Sequence, residues 1–282
     1  MKTLLCLLLG CFSLVCWGQS SNSSDERIIS LAPHITELVF AVGAGDELVG
    51  AVSYSDYPVA AREIPRIGGY ETINFEAIIA LNPTLVIGWD SGNGSDMLER
   101  LRALGLNVHS HNPDTLEDVG ESLRWVGNLS GHAQEGNQAA EAFLLRLKQL
   151  RTGFSGRSPV RLYYQLWNEP QMTVNDEHLI SDVIRLCGGA NIFADAMPLI
   201  PKVSIESVIQ RNPQAIVLAG MSGNQPEWLE AWRHWTSIEA VKKDNLFEIH
   251  PDLLHRHSPR ILDGTAELCS ALDVARSRLS GE

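Results

Sequence analysis

INFEAIIALNP, at residues 73–83, and VSIESVIQRNP, at residues 203–213, repeat one pattern at a constant offset of 130 positions (73 to 203). Each copy starts with a helix-capping residue followed two positions later by a glutamate, and these pairs are Asn74 with Glu76 and Ser204 with Glu206. Each copy ends on Asn-Pro and is followed by a run typical of a buried strand, LVI at 85–87 and AIV at 215–217. The match predicts that the chain contains two similar α/β halves.

Strand-like and helix-like segments alternate along both halves, which is typical of parallel βα units. In the N-terminal half the strand-like segments are residues 27–31, 48–52, 85–88 and 107–110. Between the halves, residues 131–153 contain no proline and no strand signal. Apolar residues recur there at spacings of three and four, which predicts one long helix with a stripe formed by Ala139, Phe143, Leu144, Leu147 and Leu150.

These features predict an α/β fold with two lobes joined by a single long helix. A break in the helical pattern, GFSGRSP at residues 153–159, marks the end of that helix. We assign residues 19–129 to an N-terminal lobe, 130–153 to the linking helix and 154–282 to a C-terminal lobe. The space between two such lobes is the expected place for a ligand cleft.

Residues 1–18 have the features of an export signal. Lys2 supplies a positive charge, residues 4–15 form a short apolar run, and small residues flank Trp17 at the expected cleavage point after Gly18. The run is too short for a spanning helix. An alternative is lipid anchoring through Cys11, because LLGC at residues 8–11 loosely resembles a lipoprotein cleavage site.

Charge and cysteine content narrow the class of protein further. The formal net charge of −12 argues against nucleic acid or an anionic membrane as the main partner. Three of the five cysteines lie in the signal segment, which leaves Cys187 and Cys269. Two cysteines in an exported chain most simply pair with each other, and the alternative is two free buried thiols.

The motifs that would indicate an enzyme or a metal site are missing. The chain has no nucleophile elbow, phosphate-binding loop, dinucleotide fingerprint or zinc-protease spacing. Asp252 with His255 is the best remaining candidate for a catalytic pair in a cleft enzyme. His250, His255 and His257 match no common zinc spacing, and the nearby Arg256 would oppose a cation. We therefore expect neither catalysis nor a bound metal.

Aromatic and polar residues follow several predicted strands, where α/β proteins gather ligands. Tyr54 follows the second strand, Trp89 follows the third, Tyr70 precedes the first repeat copy, and HPD at residues 250–252 follows a strand near the C-terminus. Flat aromatic walls on two facing lobes would suit a large and partly apolar ligand.

Several segments resemble the helical-backbone class of periplasmic solute-binding proteins, and within it the cobalamin-binding proteins of Gram-negative bacteria. They are SYSDYP at 53–58, the unit 74–83 with Trp89, CGGANIF at 187–193 and RHSPRI at 256–261. The resemblance implies two Rossmann-like lobes with cobalamin held between them. It further implies a periplasmic, monomeric protein without enzymatic activity that delivers cobalamin to the membrane subunits of an ABC importer.

The resemblance also implies roles for individual residues. Those expected to contact cobalamin are Tyr54, Trp89, Asp252, Leu253, Leu254, His255 and Arg256. Glu76 and Glu206 match two surface glutamates that meet arginines of the importer, and the repeat makes them an equivalent pair, which suits a two-fold symmetric partner. The disulfide of the family would join Cys187 to Cys269.

The chain departs from the pattern of that family at three positions. Leu253 and Leu254 stand where aromatic residues are expected, and Tyr70 stands where a tryptophan is expected. Tyr70 remains a predicted ligand contact, but haem-binding relatives use a tyrosine at a similar place as an iron ligand. A haem or ferric-chelate ligand is therefore the alternative to cobalamin.

Overall fold

The computed structural model describes residues 26–69, 72–220 and 225–281. The predicted signal peptide, the Cys11 alternative and Tyr70 lie outside these residues. None of the helices in the described ranges combines the length and hydropathy needed to cross a bilayer.

The N-terminal lobe is built on a parallel four-stranded sheet with the strand order β2-β1-β3-β4. The strands are β1 (Ile28–Ser30), β2 (Leu48–Ala51), β3 (Leu85–Trp89) and β4 (Val108–His111). The helices are α1 (Pro33–Ala41), α2 (Phe75–Ala80), α3 (Asp90–Asn93), α4 (Ser95–Ala103) and α5 (Leu116–Leu129). Strands β1 and β3 are buried almost throughout, which explains why their sequences, IIS and LVIGW, are mostly apolar.

The C-terminal lobe repeats this arrangement with the strand order β6-β5-β7-β8. Its strands are β5 (Val160–Gln165), β6 (Gly189–Asn191), β7 (Ala215–Leu218) and β8 (Leu246–Glu248). Its helices are α7 (Leu179–Leu186), α8 (Ile205–Arg211), α9 (Gln225–Arg233), α10 (Glu239–Lys242), α11 (Pro251–Leu254) and α12 (Ile261–Ser280). In both lobes the second strand along the chain forms one edge of the sheet. The first, third and fourth strands lie beside it in that order. The two repeat copies form α2–β3 and α8–β7, so the prediction of two similar α/β halves is confirmed.

The long helix between the lobes is α6 (Ala133–Phe154), 22 residues in length. Phe143 and Leu147 of the predicted stripe are buried, and the other stripe residues pack against the same buried cluster. That cluster includes residues from Ile28 in β1 to Ala275 in α12, so the lobes share a core across α6. A shared core favours small rather than large movements between the lobes. The division of the chain at residues 129 and 153 remains our assignment.

Helices α5 and α6 approach each other closely at two glycines. A Cβ atom on Gly136 would lie 2.8 Å from Leu123 O and 2.9 Å from Gly127 Cα, and backbone atoms cannot move aside easily. We therefore expect Gly136→Ala to lower the free energy of unfolding by about 1–3 kcal/mol. The matched control is Gly153→Ala on the same helix, because a Cβ there meets nothing within 4 Å.

The control should raise stability by about 0.5–1 kcal/mol, since alanine is the better helix former. Urea unfolding of both variants measures the difference. Equal stabilities for the Gly136 and Gly153 variants would contradict the close approach of the two helices.

Cys187 and Cys269 form the predicted disulfide. Cys187 directly follows α7 and Cys269 lies in α12, and both are completely buried. The bond joins two helices of the C-terminal lobe, and the alternative of two free thiols is wrong.

Candidate ligand cleft between the lobes

The two lobes meet at the carboxyl ends of their parallel strands. In the N-terminal lobe, Tyr54 lies three residues after the end of β2, and Trp89 is the last residue of β3. The residues that follow β8 face them from the C-terminal lobe: Arg256 Nη1 lies 2.7 Å from Asp56 Oδ1, and the rings of Trp89 and His257 have centroids 6.0 Å apart. This edge is where parallel α/β sheets bind ligands, so we take it as the candidate site.

Tyr54 is a large aromatic residue held out toward solvent. Its φ angle of 65° is unusual for a residue other than glycine. Asp56 N donates a hydrogen bond to Tyr54 O at 3.0 Å, and the Oγ of the buried Ser55 lies 3.0 Å from Thr36 Oγ1 on α1. The residue is 77% exposed. An exposed ring on a constrained backbone of this kind favours a functional role.

Trp89 is oriented by contacts on several sides of its ring. Its Nε1 donates to Asn112 Oδ1 at 3.0 Å, and His34 packs edge-on with ring centroids 5.1 Å apart. A Cβ atom on Gly92 would lie only 1.9 Å from the ring, so a glycine is needed there. Trp89 remains partly exposed, and a fixed ring with an accessible part can serve as a stacking surface.

The segment after β8 forms the single turn α11, which gives the predicted contact residues different environments. Leu254 has no exposed surface and packs in the core, so it cannot reach a ligand in this conformation. A ligand contact by Leu254 stays a prediction, and it requires this side chain to leave the core. Leu253 is partly exposed, and Asp252 Oδ2 pairs with Arg256 Nη2 at 2.9 Å.

His255 and Asp252 interact with different partners. Its Nε2 lies 2.9 Å from the hydroxyl of Tyr164, while Asp252 is engaged by Arg256. The catalytic pair that a cleft enzyme would need is therefore not joined. Across residues 26–69, 72–220 and 225–281 no group of three or more His, Cys, Asp or Glu side chains is arranged to hold a metal ion.

Arg256 lies at the centre of an ionic network between the lobes. Its side chain is only 9% exposed, and it pairs with Glu37 at 3.0 Å and Asp56 at 2.7 Å in addition to Asp252. Burial alone would raise the pKa of the Asp56 carboxyl, but the hydrogen bond and charge of Arg256 outweigh it and lower that pKa below its usual value. Arg256 thus holds the cleft loops together.

Four histidines lie beside this network: His34 in the N-terminal lobe and His178, His255 and His257 in the C-terminal lobe. The ring centroid of His257 is 5.7 Å from that of His34 and 6.2 Å from that of His178. Burial lowers the pKa of His34 and of His255 to about 3 and that of His178 to about 4. Burial also holds the pKa of His257 well below its usual value, so these rings are neutral at pH 7.

Glu76 and Glu206 occupy the same position in the two lobes. Each lies in the first turn of its helix, α2 or α8, and each is exposed. The predicted caps form: Asn74 Oδ1 accepts from Ala77 N, and Ser204 Oγ accepts from Ser207 N. The lobe surfaces therefore present two equivalent carboxylates.

Sequence reasoning missed Glu37, His34 and His178. A signal for Glu37 exists, because it is a lone carboxylate between apolar residues in α1, PHITELVFA. A charged side chain in such a helix indicates a buried partner, since an unpaired buried charge is costly. The identity of that partner is not visible in the sequence.

The profile of the periplasmic binding protein family matches residues 28–253. The chain belongs to this family. It is 38% identical over 253 residues to the vitamin B12-binding protein of Vibrio cholerae serotype O1, an alignment that covers 90% of this chain and 91% of the relative.

Solved structures of the family share the two-lobed fold. The periplasmic vitamin B12-binding protein BtuF of Vibrio cholerae is 39% identical with a TM-score of 0.83, and the match covers 89% of this chain and 98% of that one. The periplasmic haem-binding protein RhuT from Roseiflexus sp. RS-1 is 25% identical with a TM-score of 0.80, covering 89% and 99%. The predicted fold class is confirmed by these matches.

Proposed function

We propose that this protein captures cobalamin in the cleft between its lobes and delivers it to the membrane subunits of an ABC importer. The observation that carries the proposal is the 38% identity to a vitamin B12-binding protein over 90% of the chain. A periplasmic location follows from the same assignment, with cobalamin as cargo rather than cofactor. Catalysis has no part in the proposal, because the relatives are binding proteins and Asp252 and His255 have separate partners.

The geometry of the cleft supports a large, partly apolar ligand. Tyr54 and Trp89 offer aromatic surface from the N-terminal lobe, and Leu253 offers apolar surface from the other. Tyr57, which sequence reasoning did not single out, is 46% exposed on the same loop as Tyr54. We propose Tyr54, Trp89, Asp252 and Leu253 as contacts, keep Tyr70 as a prediction, and assign His255 and Arg256 to the support of the cleft.

Ligand identity is tested by adding cyanocobalamin and haemin separately to the purified protein. We expect cyanocobalamin to quench tryptophan fluorescence with saturation, because Trp89 lies at the cleft. We expect haemin to give no shifted Soret band. A saturable Soret shift with no response to cyanocobalamin would contradict the cobalamin assignment and support the haem alternative.

Glu76 and Glu206 are proposed to dock on cationic residues of the importer. We expect the double variant Glu76→Gln/Glu206→Gln to bind cyanocobalamin normally but to reduce import by tenfold or more, because docking loses two charge-assisted contacts of about 1.4 kcal/mol or more in total. Uptake of labelled cyanocobalamin by cells that carry the cognate importer measures this.

The matched control is Glu99→Gln, which removes an exposed carboxylate from α4 outside the repeat. Its uptake should equal that of the unaltered protein. Equal uptake by the double variant and this control would show that the repeated glutamates do not dock.

A further inference from the structure

Glu37 is a buried carboxylate whose side-chain partners all come from the other lobe. It lies on α1 of the N-terminal lobe, and its side chain is 2% exposed. Arg256 Nη1 donates to Glu37 Oε1 at 3.0 Å, Ser258 Oγ donates to Oε2 at 2.6 Å and Arg260 Nε donates to Oε2 at 2.9 Å. The donors are separated from Glu37 by 219 to 223 positions along the chain.

A carboxylate this deeply buried is stable only while its hydrogen-bond donors stay in place. Separation of the lobes at this point would break the bonds to Arg256, Ser258 and Arg260 together. It would leave the Glu37 charge without partners and expose two guanidinium groups that are mostly buried, with side-chain exposures of 9% and 19%. The contact therefore resists opening far more than a surface ion pair does.

The hydrogen bonds of Glu37 extend, through Arg256 and Arg260, to the loops that carry the residues proposed to bind the ligand. Through Arg256, Glu37 is connected to Asp56, two positions after Tyr54, and to Asp252 at the start of α11. Arg260, the second donor, also lies over the ring of Tyr57 at 3.8 Å. One carboxylate thus connects the cleft loop of the N-terminal lobe with the cleft loop of the C-terminal lobe.

We propose that Glu37 is a positioning residue that holds the two lobes at one cleft width in the absence of ligand. It touches no ligand itself. By limiting the population of wider forms, Glu37 keeps most of the protein in the binding-competent form. The apparent affinity falls in proportion to the fraction of protein that is in this form. The spacing of the lobes does not depend on the ligand, whereas the effect of Glu37 on affinity rests on the proposed function.

Glu37→Gln removes the charge while keeping the shape of the side chain. The distance between spin labels on Leu104→Cys and Lys242→Cys, exposed sites on opposite lobes, is measured without ligand by pulsed electron resonance. We expect a broader distance distribution for Glu37→Gln, a distribution closer to the native one for Glu37→Asp, and a cyanocobalamin Kd raised about tenfold or more for Glu37→Gln.

Asp273→Asn is the matched control, because it removes a carboxylate from Arg276, whose side chain is 13% exposed, within one lobe. It should leave both the distance distribution and the Kd unchanged. A folded Glu37→Gln protein with a native distance distribution and a native Kd would overturn the proposal, even if its melting temperature had fallen.

If Glu37→Gln does not fold, Arg260→Gln decides the question, since Arg260 is partly exposed and Glu37 keeps Arg256 and Ser258. A broadened distance distribution for Arg260→Gln supports the proposal, and a native one overturns it. Failure of the unaltered protein to bind cyanocobalamin would refute the proposed function alone, because the spacing of the lobes is measured without ligand.

Discussion

Acidification from pH 7.5 to pH 5 is expected to lower the free energy of unfolding by roughly 3–5 kcal/mol. The pKa of His34 and of His255 is held at about 3 and that of His178 at about 4 in the folded protein, against 6.5 for an exposed histidine. The folded state therefore binds fewer protons than the unfolded state below pH 6.5. The contribution of these neutral histidines to stability is fully present above pH 6.5. It is lost progressively as the pH is lowered toward the pKa values of the folded protein.

The size of the effect follows from the same shifts. At pH 5 each such buried histidine lowers the free energy of unfolding by about 2 kcal/mol. This pH lies about 1.5 units below the pKa of an exposed histidine, and one unit corresponds to about 1.4 kcal/mol. His178 and His255 are partly exposed, which reduces their share. Neighbouring charges act in the same direction, since His34 faces His111 and Arg256, and His255 faces His178.

Urea unfolding at several pH values between 7.5 and 4.5 measures this dependence. We expect His34→Gln and His178→Gln to flatten the slope of stability against pH, each by a part of the total. His234→Gln removes an exposed histidine from the segment after α9 and is the control. A slope that is the same in all four proteins would refute the role of the buried rings.

Loss of the Cys187–Cys269 disulfide is expected to lower stability by up to about 4–5 kcal/mol. The bond closes a loop with a sequence separation of 82 residues, and cross-linking a loop of that length restricts the unfolded chain accordingly. Both half-cystines are completely buried, so the reduced thiols would stay in the core of the C-terminal lobe and restore none of this constraint.

The double variant Cys187→Ala/Cys269→Ala and the reduced unaltered protein should show similar losses in urea unfolding. Mass spectrometry of alkylated samples confirms that reduction is complete. An unchanged unfolding midpoint after verified reduction would contradict the expected stabilisation.

Much of the fold follows from local patterns in the sequence. The segment predicted as a strand at 85–88 is β3, Leu85–Trp89, because a strand buried on both faces leaves a continuous apolar run. The repeat predicts equivalent units in two lobes, since each copy carries its own cap, apolar face and stop. The long helix was predicted within a few residues because its stripe has a regular spacing.

The parts that could not be predicted depend on contacts between distant segments. The resemblance implies a ligand contact for Leu254, but its side chain is buried in the core within the single turn α11. The partners of Glu37 lie more than 200 positions away, and local patterns do not indicate which residues meet across an interface. The clustering of His34 with His178 and His257 has the same origin.

The most direct test of the central claim is a calorimetric titration of the purified protein with cyanocobalamin. We expect saturable binding of one ligand per protein with a Kd below about 1 µM, and weaker binding to Trp89→Ala, because the ring lies at the cleft between the lobes. The absence of saturable binding up to about 100 µM would contradict the account.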